Sequence, residues 1–381
     1  MENDISHSQT IFDEFLSKCN RGSRLNPSDI IDPSFPNDFL SRARSQIEHY
    51  SKTYNDSSKY HIDLTISGKM EAFSFLNKDI GFIAVSFDTI LILRILFLRI
   101  LSDPNSFPGV GNVHLEEPLT SPYLTGLPKS TNELNVESRS PKCVMREGFS
   151  RILTITSFHF LVAHELAHLS NGHLAWINSL HEGSLISEVT GNNTKPLSAI
   201  TRQTLEMDAD ASAVKQVITA IYKSPEVQTA LTKGMNKESL HVHNAAYGTP
   251  EKTIYLLLYV TTIFFKIFDE SYWNEHSLSV RSHPPSPFRN IWVGSTLQEL
   301  IKRDISTDLA EKVTEIGAEA YKDAVLALGR LTDEKPNIDG LLGAISDKFA
   351  YYPSSLLKHW GKIRPHLEPF STGAGLAPVQ L

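Results

Sequence analysis

Hydrophobic and polar positions change their period several times along the chain, and each change predicts an element. The first 58 residues are mostly polar, with apolar positions at helical spacing only in IFDEFLSKC and around DFLSRARSQIEHY. This predicts two amphipathic surface helices in an N-terminal extension. From Tyr60 the period becomes two: Ile62, Leu64 and Ile66 alternate, and EAFSF and GFIAVSF follow with the β-branched and aromatic content of strands. A small sheet is expected there. Residues 103–147 carry Pro104, Pro108, Pro118, Pro122, Pro128 and Pro141 among scattered Gly and Ser, an irregular excursion of the kind that often covers an active site. Helical periodicity then runs from about Phe149 to Ser170 and stops at Asn171-Gly172, where glycine supplies the left-handed residue that ends helices.

Residues 181–200 (HEGSLISEVTGNNTKPLSAI) read as a second loop, and Leu205, Ala209, Ala213, Val217 and Ala220 mark a helix over about 201–220. An apolar helix near 253–268, a proline-rich turn (SHPPSPFR), amphipathic helices over about 296–331 and 338–348, and a flexible tail (STGAGLAPVQL) complete the chain. The expected fold class is α+β and predominantly helical. It divides into a helical extension (1–58), a core with long loops at 103–147 and 181–200 (59–295), and a C-terminal helical region with its tail (296–381).

Two apolar runs raise the question of a membrane. Thr253 to Phe265 is bounded by Lys252 and Lys266, leaving 13 residues where a spanning helix needs about 20. Ile90 to Leu101 is interrupted by Arg94 and Arg99. Both read as buried core helices, so no integral span is expected. At 381 residues and 41% hydrophobic, the chain can bury a large core. Its formal net charge of -7 provides no global positive field, which argues against nucleic acid as a partner. Cys19 and Cys143 are far apart and outside any CxxC spacing, so neither a disulfide framework nor a cysteine zinc site is indicated. With no secretory pattern in MENDISHSQT, a cytoplasmic setting is expected.

The chemistry is concentrated in His164-Glu165-Leu166-Ala167-His168, an HExxH pattern. On a helix the two imidazoles, four residues apart, project from one face and can share a zinc ion, with Glu165 beside them to deprotonate a water. The preceding ILTITSFHFLVA is apolar and helix-compatible, which places both histidines on a buried helix facing a cavity. Downstream, Glu206-Met207-Asp208-Ala209-Asp210 offers a carboxylate, Glu206, to complete three protein ligands and leave the fourth position open. Asp210, one turn on, is placed to orient a ligand histidine through its second nitrogen. Asp208 lies about 200° around the helix from Glu206 and should point elsewhere, solvated or structural.

Taken in order, HELAHLSNGH, LEMDADASA and SHPPSPFR resemble the gluzincin family that contains the CAAX prenyl proteases and the bacterial heat-shock membrane protease. The resemblance spans about residues 60–292 and implies a zincin-like metallopeptidase core. It assigns His283 a role in stabilising the oxyanion, makes Arg289 a substrate-binding residue, and likens EAFSF to the family's substrate-facing edge strand. On that reading an extended substrate adds to the strand near Ala72 to Phe75 through backbone hydrogen bonds, with Ala72 and Phe73 as substrate-binding residues. The chain departs from the prenyl proteases in lacking a membrane span and in carrying Glu71 where the edge-strand motif usually has Asn, so prenylated substrates are not implied. A metzincin pattern is excluded because Asn171 and Leu174 occupy its Gly and His positions. His173 reads instead as a capping or packing residue at the helix end.

The expected function is that of an endopeptidase carrying one zinc per chain and acting on a protein or peptide substrate. Glu165 would take a proton from water and pass it to the leaving amine, with the long loops gating the cleft. Two alternatives accompany it. One is a non-catalytic scaffold stabilised by zinc. The other is a stress-response peptidase with one target, similar in its HExxH and size to the soluble phage-exclusion peptidases.

Overall fold

In the computed structural model the described residues are 2–118, 124, 126–134, 139–180, 197–222, 232–268, 274–332, 339–373 and 375–378. The alternating segment forms a four-stranded mixed sheet: β1 (Ser23–Arg24), β2 (Lys59–Ile66), β3 (Ala72–Asn77) and β4 (Ile80–Ser86) in the order β1-β2-β4-β3. β4 runs parallel to β2, with Lys59 opposite Ile80. It runs antiparallel to β3, with Ala72 opposite Val85, so β3 is left at the edge.

Period-two alternation divides the sheet into two faces. Ile62, Leu64, Ile83 and Val85 join the main core, whereas Phe75, Phe82 and Ala84 meet Phe12, Phe15 and Leu16 of helix α1 (Glu2–Cys19). The Phe15 ring stacks on Phe75 at 3.7 Å between centroids. Helix α2 (Ser34–Tyr54) buries Phe39, Ala43, Ile47 and Tyr50 in the main core. The first 58 residues are therefore an integral layer and not an appended extension. Their short apolar stripes are wide enough to be covered by the sheet on one side and the central helix on the other.

After α3 (Phe87–Leu101) comes the central helix α4 (Val144–Ser170), which begins five residues before the apolar pattern suggests. The reason is Arg146. Its fully buried guanidinium donates to the carbonyls of Leu101, Asp103, Ser106, Phe107 and Val110 at 2.7–3.0 Å. The proline-rich segment after α3 is thus pinned to the first turn of α4, roughly 27 Å along the helix from His164 at 1.5 Å per residue. That stretch does not gate the HExxH end, contrary to the expectation for the whole loop. A later part of the same loop lies closer to the sheet edge, where Met70 N–H donates to Lys129 O at 2.8 Å and Thr131 Oγ1 to Asp88 at 2.6 Å. The expected gate at 181–200 falls largely on residues 181–196, outside the described residues.

Next in order are α5 (His173–Leu180), α6 (Ala199–Tyr222), α7 (Lys237–Tyr247), α8 (Pro250–Phe268), α9 (Glu275–Leu278) and α10 (Ser286–Asp304). They are followed by α11 (Thr307–Leu331), α12 (Asp339–Ala344) and α13 (Tyr351–Leu367). The apolar helix α8 is buried along most of its length, as expected. Among the described residues, only α4 is long and apolar enough to cross a membrane, and most of its apolar window is inside the protein.

Two C-terminal expectations are corrected. SHPPSPFR is not wholly a turn: α10 starts at Ser286 with Pro287 in its first turn, where a missing N–H costs nothing. The tail is anchored too. Thr372 N–H donates to Ser170 O at 2.8 Å, Ala377 N–H donates to Asp208 at 2.7 Å, and the Ala377 carbonyl accepts from Trp360 and Arg364. The protein is a predominantly helical α+β fold, and α11 contributes Leu309, Val313 and Leu328 to the same core as α2.

A candidate metal centre on the central helix

Because α4 is a regular helix, His164 and His168 fall on one face, where α6 crosses and brings Glu206 against them. His164 Nε2 and His168 Nε2 are 3.2 Å apart. The Glu206 carboxylate lies 3.2 Å from the first through Oε2 and 3.4 Å from the second through Oε1. A tetrahedral ion with bonds of about 2.0–2.1 Å would hold its donors about 3.3 Å apart, so the three separations fit one face of such a site. The chemistry of the donor set agrees. Two imidazole nitrogens face each other, and Glu206 Oε2 is buried without a well-directed hydrogen bond. A buried carboxylate oxygen left so is costly unless a cation satisfies it. This buried His/His/Glu group can hold a metal ion.

Each imidazole is oriented from behind. His164 Nδ1 lies 3.0 Å from Asp210 Oδ1, slightly off the hydrogen-bond direction. Asp210 in turn accepts from Arg289 Nε and Nη2, both at 2.7 Å. Arg289 also stacks on Phe265, 4.2 Å from the ring centroid, and approaches Glu206 to 3.9 Å. Its forked face is therefore committed to Asp210, which makes it a positioning residue, and its side chain also lines the cleft in which substrate binding is expected.

For His168 the support is longer. Its Nδ1 is 3.0 Å from His173 Nδ1, and His173 Nε2 is 2.9 Å from Asp208 Oδ2. If His168 presents the lone pair of Nε2 to a metal, its Nδ1–H donates to His173, which donates through Nε2–H to Asp208, a consistent chain of protons. Asp208 also accepts from Asn171 Nδ2 at 2.5 Å and from Ala377 N–H. It thus points away from the ligands, as the helical wheel requires, but it is fully buried and not solvated. His173 is likewise fully buried and structural to the site, beyond capping or packing.

Electrostatics follow the geometry. Burial alone would lower the His164 pKa, but Asp210 and Glu206 outweigh it and, without a metal, raise it to about 10. His168 is raised too, again against burial, by Glu206. Burial pushes the Glu206 carboxyl up, but His283, His168 and His164 pull it well below its ordinary value. Asp210 is held low against burial by Arg289. Glu165 is the exception: burial dominates and raises it, partly offset by the two histidines and by a side-chain hydrogen bond with Ser74 of β3.

The site opens onto a cleft along the edge strand. One lobe, of about 260 Å³, includes Phe73, Ser74, Arg202 and Phe15 of α1. The other, of about 200 Å³, includes Met70, Glu71, Phe268 and Ser286. Both lobes share Ala72, His164, Glu165, Glu206 and His283. The expected residues Ala72 and Phe73 thus lie in the cleft beside Glu165. His283, half exposed, places Nε2 3.3 Å from Glu206 Oε2, and its Nδ1 is 2.8 Å from Ser282 Oγ. Sequence reasoning missed Arg202, Phe15, the contact of Ser74 with Glu165, and the link from His173 to Asp208. The last had a signal: a histidine just beyond the Gly172 stop, followed by an unexplained acid between two explained ones.

No protein-family model, curated protein or solved structure matches this chain.

Proposed function

We propose that this protein is a zinc-dependent endopeptidase. One observation carries the reading: three donors, two buried and one nearly so, converge at tetrahedral spacing, with Glu165 beside them, at the junction of two cleft lobes that run along an edge strand. Two imidazoles and a carboxylate suit zinc, and three protein ligands leave a position for chemistry. A cleft continuing on both sides of the junction suits cleavage within a chain. The order of HExxH, ExxxD and the His-Pro segment, which resembles the gluzincins, supports the same reading.

When bound, zinc supplies Lewis acidity to a peptide carbonyl and makes a water more acidic. The substrate lies extended beside β3, pairing with the outward-facing backbone groups of Ala72 and Ser74, while Phe73, whose backbone pairs with β4, lines the cleft. Glu165, a carboxyl that burial pushes upward, accepts the proton of the attacking water and passes it to the departing amine. Hydrogen bonding with Ser74 holds this carboxylate toward the strand that positions the substrate. His283, at the mouth, donates to the developing oxyanion. Asp210 with Arg289, and His173 with Asp208, fix the two imidazoles.

The ligand assignment is tested by metal analysis of chelator-stripped protein reconstituted with zinc. Wild type is expected to retain one equivalent and Glu206→Ala much less than a tenth. Full occupancy in Glu206→Ala would contradict the assignment.

A further inference from the structure

A second cavity, of about 590 Å³, lies between α2, α4, α6 and α7 and shares no lining residue with the metal cleft. Its volume is in the range of small-molecule sites, about 300–1,000 Å³. Its walls are mainly apolar: Tyr50 from α2, Ile152 and Ile155 from α4, Val217 from α6 and Val242 from α7.

Set into this lining are polar groups without partners. Gln216 is 8% exposed, and neither its amide nitrogen nor its amide oxygen makes a hydrogen bond. Gln46 donates through Nε2 to the His159 carbonyl at 2.8 Å, which fixes its amide and leaves Oε1 unpaired. His159 Nε2 is also buried and unpaired, and burial pushes this imidazole down to about 4, so it is neutral. The lining residue His243 likewise has a buried Nδ1 without a hydrogen bond. Buried polar side-chain atoms in folded proteins are almost always satisfied, and four residues with such atoms around one cavity call for a polar partner inside it.

The charges nearby indicate what kind of partner. Arg42 and Arg151 at the rim both pair with Asp38, at 3.0 and 3.1 Å, and the remaining charged group of the lining, Glu238, is exposed to solvent. Gln216 offers one donor and one acceptor side by side, the complement of a carboxamide or lactam. We infer that this cavity is a binding site for an uncharged small molecule with an apolar body and an amide or lactam head, the head pairing with Gln216 and the body lying against Ile152, Ile155, Val217 and Val242. The inference is independent of the peptidase reading, since none of these residues belongs to the metal site.

The test uses full-length protein and the uncharged fluorophore N-phenyl-1-naphthylamine, with octanamide and octanoate as competitors. Saturable binding at one site per chain is expected, displaced by octanamide at a concentration at least tenfold below that needed for octanoate. Gln216→Leu should weaken octanamide about tenfold while leaving the fluorophore within twofold. Ile155→Trp, which fills the cavity, should abolish both. Val217→Phe serves the same purpose if the tryptophan variant loses its native circular dichroism spectrum. Non-saturable binding, or binding unchanged by the filling variants, would overturn the site. Equal displacement by octanoate would overturn the ligand class. Concentration-dependent dimerisation that excludes the fluorophore would show the face to be a protein interface instead.

Discussion

Removing Asp210 should damage the protein in two separable ways. Its carboxylate, 1% exposed, receives both prongs of Arg289, whose side chain is 8% exposed, and lies 3.0 Å from the Nδ1 of His164. Asp210→Ala strands a buried guanidinium, and breaking a buried pair from one side costs about 3–5 kcal/mol. A chain of 381 residues has an unfolding entropy of about 0.8 kcal/mol/K, so the melting temperature should fall by about 4–6 °C. Losing the group behind a ligand imidazole should also weaken metal binding about 10- to 100-fold. The two effects part in Asp210→Ala/Arg289→Met, which removes the stranded charge but not the defect behind His164. Melting is measured with chelator present, and zinc affinity by competition with a chromophoric chelator. The double variant is expected to regain most of the lost stability and none of the affinity. Wild-type zinc affinity in Asp210→Ala, or a double variant as unstable as the single, would refute the reasoning.

Three further outcomes follow from the same geometry. In metal-free protein His164 is raised to about 10, so its protonated form contributes stability that is full below about pH 6.5 and lost as pH rises through about 10. The urea midpoint of chelator-stripped protein should therefore fall between pH 7 and 10 while zinc affinity climbs, and a flat midpoint would contradict this. Gly172→Ala should destabilise by more than about 1–2 kcal/mol, because φ is +78° and a Cβ would sit 2.6 Å from Phe370 Cβ. Denaturant titration checks the size, and a loss below 0.5 kcal/mol, a bound about half the lower cost, would argue against a tight C-terminal strap. Arg146→Met leaves five carbonyls short of a donor and should cost about 3 kcal/mol or more, with zinc affinity unchanged because the metal centre lies roughly 27 Å away. A parallel loss of zinc affinity would show that the two ends of α4 are coupled.

The parts of this fold legible in the sequence are those that local periodicity encodes. The alternation at Ile62, Leu64 and Ile66 gave the sheet. Helical spacing in α4 and α6 placed His164, His168, Glu206 and Asp210 where they are found. What stayed hidden depends on long-range partners. Arg146 reads as a polar interruption until five carbonyls surround it. Phe12 and Phe15 look like surface positions until the sheet covers them. Asp208 looks solvated until His173, Asn171 and Ala377 converge on it from three other segments. The His-Pro context alone singles out Arg289, and only the packing of α10 on α6 shows that Asp210 engages it. The tail looked flexible because small residues carry little apolar signal, yet its backbone groups at Thr372 and Ala377 hold it in place.

The most direct measurement compares wild type with Glu165→Gln, zinc content and proteolysis being recorded on the same preparations. Each protein is incubated with cell lysate and the newly formed protein N-termini are identified by mass spectrometry. One zinc per chain is expected in both, with specific new N-termini from wild type and a loss of about 10²- to 10⁴-fold in Glu165→Gln. New N-termini produced equally by both proteins, or none from zinc-loaded wild type, would contradict it.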